Sequence, residues 1–481
     1  MKRLTSPATL VLLSLFAASS LAWAGSVNGT KHPLVAEYSV TAPFSGQLSV
    51  EFGRDLSYGR STSSQAVNQN QMATVVVAGM RANTLYHMRA RIDYGNQTWY
   101  DTDQVFTTGP LPNATHAIPT VTGLRPPGEG VDLVSDLRLD LGPLVLDADG
   151  SIIWYYYVPG YKAAFPARLM SNGHIVVQNA VDLREVDLEG NIIRELTLAQ
   201  LNAALTTAGY QFQVDSMHHD VLRLNNGHYI LLTQEHKQVC DPNCVNVLSD
   251  TIVDIDQNNN VKWVWRCFDH LDLNRHPYQW PDWTHCNALV YLQNDGNLLL
   301  SSRHQSWVMK IQYLDGQGDG TLLWRLGYQG DFTLTPNDPT EWNWDQHDPS
   351  VLGWDGSKIT IMLFDNGNQR PYQGQACENS HTIGGACYSR GVVFKLDQST
   401  LTANVAWEYK LPFSSWGGSA VLLPDGNVEF DNSADNGYGN ASRVVEVTPG
   451  LQQIWRMDSG PVPTNWYRSI RIPSLYPGVQ W

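Results

Sequence analysis

Three histidines of this chain occupy corresponding places before apolar runs: His219 in Met217-His-His-Asp-Val221, His285 in Asp282-Trp-Thr-His-Cys-Asn287, and His347 in Asp345-Gln-His-Asp-Pro349. Arg303, in Ser301-Ser-Arg-His-Gln305, ends the strand-like run that His285 opens, and Arg390, in Tyr388-Ser-Arg-Gly391, begins another. Imidazoles that converge beside a guanidinium suit one of two ligands. A zinc ion takes three histidines and a water and has little use for arginine. A tetrahedral oxyanion such as sulfate or phosphate is held well by guanidinium next to imidazole, so Arg303 favours the anion. The role of Arg390 stays open between the channel and an ion pair at a strand start. Strand alternation turns His304 away from the face of Arg303, and His381, between Cys377 and Cys387, reads as a surface residue.

Other machinery is missing from the sequence. There is no GxxxxGK[ST] loop for a nucleotide, no HExxH and no GxSxG elbow. Cys240-Asp-Pro-Asn-Cys244 begins like the C-x-P-x-R motif of sulfatases, but Cys244 stands where arginine is required.

The elements that must position these residues repeat. From about residue 130 the chain cycles through an apolar run, a Gly turn, a strand, an Asp/Gly turn and a Trp-bearing strand, as in Leu144–Trp154 and in Leu169–Val177 with Val186–Ile193. The pattern recurs at Leu222–Leu232 with Val253–Trp265, Leu289–Leu300 with Met309–Trp324, Val351–Leu363 with Val392–Trp407, and Val421–Phe430 with Val444–Trp455. Units of several strands at roughly forty-residue spacing predict an all-β fold with a six-bladed β-propeller over 131–481, closed by Tyr467–Ile472. In that architecture the residues opening each innermost strand face a shared channel, which brings His219, His285, His347 and Arg303 together. Shorter alternating runs at 35–40, 46–52, 72–77, 86–94 and 98–106 predict a small β-sandwich of fibronectin III/Ig type over 25–110, and the prolines at 110, 112, 119, 126 and 127 predict a linker over 111–130.

Composition narrows the partners. Against 31 Lys+Arg stand 46 Asp+Glu in 481 residues, a formal charge of −15, so no basic face is available for nucleic acid. Lys2-Arg3, the apolar run Leu10–Leu21 and Ala22-Trp-Ala24 read as an export address over 1–24, which predicts a periplasmic or secreted protein without a membrane span. In an oxidising compartment the cysteines pair, Cys240 with Cys244 and Cys377 with Cys387, leaving Cys267 with Cys286 as an open third pair.

Asp282-Trp-Thr-His-Cys-Asn-Ala-Leu-Val-Tyr291 followed by Asn297-Leu-Leu-Leu-Ser-Ser-Arg-His-Gln305 resembles the bacterial arylsulfate sulfotransferase family. So do Gln346-His347, Phe364-Asp-Asn-Gly-Asn368, Tyr388-Ser-Arg390 and the closing Tyr467-Arg468. The resemblance covers about 130 to 475. It implies a six-bladed propeller enzyme that moves a sulfuryl group from an aryl sulfate to a phenol without a nucleotide donor, a cofactor or a metal. It implies His347 as nucleophile, His219 as general acid and base ahead of His218, His285 and Arg303 on the sulfuryl oxygens, and Asn287 beside them. It carries a channel threonine onto Gly418 or Ser419, so Ser419 joins Arg390 and Asn287 as candidate substrate contacts. The expected partners are a small aryl sulfate and a phenolic acceptor, and a homodimer is compatible with the family.

By analogy with phosphoryl transfer, such a reaction has a loose transition state that asks mainly for positioning and charge neutralisation. Trp283, Trp307, Trp342, Trp344 and Trp416 are candidates for stacking on aryl groups, while Trp263, Trp324 and Trp455 read as core. Two other functions fit the same residues: a non-catalytic propeller that binds an anionic or aromatic ligand, and a hydrolase with a metal on His219, His285 and His347.

Overall fold

The computed structural model describes residues 24–481 apart from 115, 117, 138–139, 162–164, 241–242, 373–374, 378–386, 436–440 and 461–464. All of the expected export segment but Ala24, and His381, lie outside the described residues. The described chain is all-β, its longest helix being Leu198–Thr207. It divides into two compact units, one of the segments to Asn28, Glu37–Val77 and Tyr86–Phe106, the other of Gly29–Ala36, Ala78–Leu85 and Thr107–Trp481.

In the first unit, Gly46–Gly53 pairs antiparallel with Leu85–Tyr94. The register sets Leu48 against Ile92, Val50 against Ala90 and Phe52 against Met88. All six side chains are buried, so the period-2 alternation places one continuous apolar face. Ala36–Thr41 and Met72–Val77 belong to a second sheet.

The second unit contains six sheets of four or five strands, each built largely from strands adjacent in sequence. Their first strands lie against one another in chain order: Ser216–Arg223 against Cys286–Leu292, then His347–Asp355, then Ser419–Leu422, then Trp466–Ile472. This last strand pairs with Val131–Asp136, Ile472 opposite Val131, so the end of the chain completes the first sheet. The repeated turn has a plain cause: glycines at 150, 190, 227 and 426 sit at φ between 77° and 89°, where a side chain is strained, and each N–H bonds the carbonyl three residues earlier.

The repeated tryptophan also has a cause. The indole N–H of Trp154 donates to the Leu188 carbonyl in a turn of the next sheet, and Trp263 does the same to Gly318. Trp324 donates to the Gln398 side chain, Trp407 to the Pro449 carbonyl, and Trp455 to the Ala148 carbonyl of the first sheet. The second sheet has arginine at the equivalent place: Arg194 reaches the Asp256 carbonyl at 3.2 Å. Each sheet is thus pinned to the following one, and the last to the first.

Two features were not expected from the sequence, and the cysteine pairing it left open is resolved. Leu198–Thr207 is helical because Thr197 and Gln200 form a capping box, a signal present in the sequence. Part of the expected linker, Thr120–Gly123, is a strand paired with Gln453–Asp458. Cys240–Cys244 and Cys377–Cys387 are disulfides, but Cys267 and Cys286 are free, buried thiols.

Candidate active site

The starts of the inner strands converge. The His219 ring centroid lies 5.1 Å from that of His285 and 5.5 Å from that of Tyr467, and the His347 ring lies 5.9 Å from Tyr467. Backbone irregularities aim these side chains. His219, at φ 52°, sits in the register shift between Met217 and Val221, and Asp348, at φ 48°, in the shift between His347 and Ser350. His285 has φ 44° just before its strand. Bulges of this kind re-aim a side chain that a regular ladder would turn aside.

His347 is buried, and its two nitrogens are distinguished by their partners. Nδ1 lies 2.7 Å from Asn366 Oδ1, and the Gly417 N–H points at Nε2 from 3.3 Å. Asn366 donates both amide hydrogens, to the Ser414 and Gly417 carbonyls, so its oxygen faces the imidazole as an acceptor. The proton of His347 therefore resides on Nδ1, and Nε2 keeps its lone pair. Burial, then the charges of Arg303 and Arg468, hold the imidazole well below its ordinary pKa, so it is neutral.

The strand start itself is stapled. Asn287 Nδ2 donates to the Gln346 carbonyl at 2.8 Å. The Gln346 amide donates to Ser301 Oγ and to the Ser302 and Trp307 carbonyls. Arg303 donates to the Ser415 carbonyl at 3.0 Å, places Nη1 2.5 Å from His304 Nε2, and its buried Nε has no partner among the described residues. Arg468, fully buried, donates to the Asn287 carbonyl and lies 3.3 Å from Asp348. Burial opposes its cation, but Asp348 and Asp220 hold its pKa above the ordinary value. The Tyr467 hydroxyl is buried and has no hydrogen-bond partner among the described residues.

His219 is backed by a second histidine. His218 Nδ1 lies 2.6 Å from His219 Nδ1, and His218 Nε2 lies 3.0 Å from Asp250 Oδ1. Asp250 Oδ2 accepts from Thr284 Oγ1 and the Cys286 N–H, tying the pair to the loop of His285. His285 Nδ1 meets Asp282 Oδ2 at 2.5 Å, and His304 packs against it at a tilt, with ring centroids 4.6 Å apart. Donor atoms of Asp282, His285 and His304 lie within 4.8 Å of one another, a different set from the three histidines of the sequence-based metal reading. A cavity of about 890 Å³ opens at the other ends of the inner strands, where Arg223, Tyr291, Leu352 and Leu422 line it, and reaches back to Asp348.

A profile of the arylsulfotransferase (ASST) family matches residues 130–460, the stretch that carries the three histidines, Arg303, Asn287 and Asn366, with Tyr467 and Arg468 just beyond it. The chain belongs to this family. An arylsulfate sulfotransferase AssT of Escherichia coli O6:H1 is 27% identical over 146 residues, covering 27% of this chain and 23% of the relative. AssT of Lelliottia amnigena shows the same identity and coverage, so the aligned stretch spans about a quarter of these relatives. Among solved structures, the dihydro-heme d1 dehydrogenase NirN overlaps 72% of this chain and 76% of its own at TM-score 0.34 and 11% identity. A cobalt-substituted Synechocystis ACO overlaps 94% and 95% at TM-score 0.33 and 12% identity.

In this member of the family, His219, His285, His347, Arg303 and Asn287 come together, with Asn287 holding the strand of His347. Two candidate contacts do not join them. The Arg390 guanidinium is buried and fully engaged by Asp365, Glu408 and Glu341 and by the carbonyls of Glu341 and Trp342, which makes it the ion-pair partner of the two roles left open. Ser419 is also buried, and its hydroxyl donates to the Ser469 carbonyl at 2.5 Å, so the hydrogen it would offer a ligand is spent.

The expectation for His304 also fails, because the strand ends at Ser302 and a turn carries residues 303–306, where alternation no longer applies. Of the five tryptophans proposed for stacking, Trp283, Trp307, Trp342 and Trp344 are core, and Trp416 faces Tyr467 at 6.4 Å. Trp263, Trp324 and Trp455 are core as expected. The rings beside the histidines are instead Phe165, 5.2 Å from His219, and Tyr278, 4.2 Å from His304. No sequence pattern singled these out, and Asn366, although it lies in the Phe364–Asn368 motif, had no role assigned to it.

Proposed function

We propose that this chain is an aryl sulfotransferase that works by a ping-pong route through a sulfurylated His347. The observation that carries the reading is the fixed tautomer of His347: a neutral, buried imidazole with its hydrogen on Nδ1 and its lone pair on Nε2, where only a long 3.3 Å contact from the Gly417 N–H has to give way for attack. In the first half, Nε2 attacks sulfur, the S–O bond to the aryl group breaks, and the departing phenolate takes a proton from His219. In the second, an acceptor phenol returns a proton to His219, its oxygen attacks sulfur, and the N–S bond breaks. Negative charge on the sulfuryl oxygens meets Arg303, His285 and the buried hydroxyl of Tyr467, whose missing partner the substrate would supply. Neither a nucleotide nor a metal takes part.

Six sheets pinned in sequence and closed by Trp466–Ile472 support a six-bladed propeller over 131–481, preceded by a sandwich over 25–110. Two disulfides suit an exported protein with an address over 1–24. The test is an intact-mass measurement after brief exposure of chelator-treated protein to 4-nitrophenyl sulfate without acceptor. The expected result is a gain of one sulfuryl group, discharged by added phenol and absent from a folded His347→Ala variant. Absence of both adduct and nitrophenol from the wild type would overturn the reading in favour of a binding propeller, and activity lost to the chelator would favour a metal on Asp282, His285 and His304.

A further inference from the structure

His219 faces a conflict that the site resolves through its neighbour. As general acid it must give up a proton, yet burial, the adjacent imidazoles of His218, His285 and His347, and the Arg468 cation all hold it well below its ordinary pKa. A lone His219 would be an empty acid. It is not alone: its Nδ1 meets His218 Nδ1 at 2.6 Å, a separation at which one nitrogen donates and the other accepts. The far nitrogen of His218 lies 3.0 Å from Asp250, and His218 is buried, so a proton on this pair is shielded from solvent and balanced by a carboxylate.

Asp250 is positioned for the purpose by Thr284 Oγ1 and the Cys286 N–H, both on its other oxygen. The ring of His219 is also fixed, packed between Phe165, His285 and Tyr467. Its Nε2 carries no hydrogen bond among the described residues and is the nitrogen left for substrate.

We propose that Asp250, His218 and His219 form a proton relay, with His218 as the reservoir that lets His219 act as both acid and base. This rests on the transfer reaction proposed above. Before the first half, the two imidazoles share three hydrogens: His218 on both nitrogens, His219 on Nε2. When the S–O bond breaks, the Nε2 hydrogen of His219 goes to the phenolate oxygen, and the Nδ1 hydrogen of His218 crosses to His219 Nδ1. Both rings are then neutral, with His218 keeping the hydrogen that faces Asp250. In the second half the acceptor O–H gives its proton to His219 Nε2, and the Nδ1 hydrogen returns to His218. No proton is gained or lost over the cycle, and His219 never bears the full charge that its burial resists. His218 is a positioning residue in this scheme, since it acts only through His219.

The leaving group decides the test. 4-Nitrophenolate leaves readily without a proton, whereas unsubstituted phenolate needs one. In a single turnover without acceptor, which reads the first half alone, His218→Asn is expected to release 4-nitrophenol from 4-nitrophenyl sulfate within about threefold of wild type but phenol from phenyl sulfate on the order of 10²-fold more slowly. A uniform loss across a series of aryl sulfates, or no loss on phenyl sulfate, would overturn the relay. Should the variant fail to fold, the rate of wild type with phenyl sulfate in mixtures of H₂O and D₂O reads the same mechanism. Two protons in flight bow the plot, and a straight line would overturn the proposal. A wild type inert toward every aryl sulfate would instead strike at the transfer reaction itself.

Discussion

Asn366 Oδ1 lies 2.7 Å from His347 Nδ1, and because both amide hydrogens of Asn366 are given to the carbonyls of Ser414 and Gly417, that oxygen can only accept. This one contact selects the tautomer on which the chemistry depends. The side chain is held by a different segment from the one that carries the nucleophile, so the tautomer is a property of tertiary structure.

Replacing Asn366 with Ala removes the acceptor and frees the ring to place its hydrogen on Nε2. Adduct formation with an aryl sulfate is expected to fall at least 10-fold and on the order of 10²-fold, by analogy with other sites where the wrong imidazole tautomer is made. Asn366→Asp keeps the acceptor but adds a negative charge, which favours the imidazolium. Its acid limb of activity should move up toward neutral pH, and pre-steady-state nitrophenol release across pH reads both effects.

Burial lowers the proton affinity of several histidines, with a defined sign. His32 is held at about 4 by burial, against an ordinary 6.5, and its ring is locked neutral: Nε2 meets the Tyr155 carbonyl, and Nδ1 accepts the Leu34 N–H. His304 is lowered further, to about 3, by burial and then by His285 and Arg303. The unfolded chain binds protons at these sites below about pH 6.5 while the native chain does not. Stability is therefore full above 6.5 and declines as pH falls toward 4. For His32 alone the loss over that window is about 3 kcal/mol. Urea melts at pH 7, 6, 5 and 4 should show the decline, and His32→Gln should flatten it; equal midpoints across the window would contradict the assignment.

Arg390 separates stability from binding. Breaking its buried contacts with Asp365, Glu408 and Glu341 by Arg390→Met leaves carboxylates uncompensated, at a cost of about 3–5 kcal/mol. The expected phenotype is a lowered melting temperature, with KM for an aryl sulfate unchanged in the protein that remains folded. A large rise in KM at constant stability would return Arg390 to the list of substrate contacts.

Much of this protein is legible in its residues. The alternation of apolar positions, the glycines that tolerate positive φ, and the tryptophan that recurs after each Asp/Gly turn are local signals, repeated until the architecture follows from them. Even Arg194, which breaks the tryptophan pattern, keeps its function by reaching the same kind of carbonyl. The three histidines were likewise marked by position, because each stands where an apolar strand begins. What local pattern could not supply was direction and partnership. His304 faces His285 because the strand stops two residues earlier, and Arg390 is consumed by acids from three other segments. Asn366, His218 and Tyr467 acquire their roles only when bulged strand ends meet across sheets, since burial, tautomer and proton affinity are set by neighbours in space and not by neighbours in sequence.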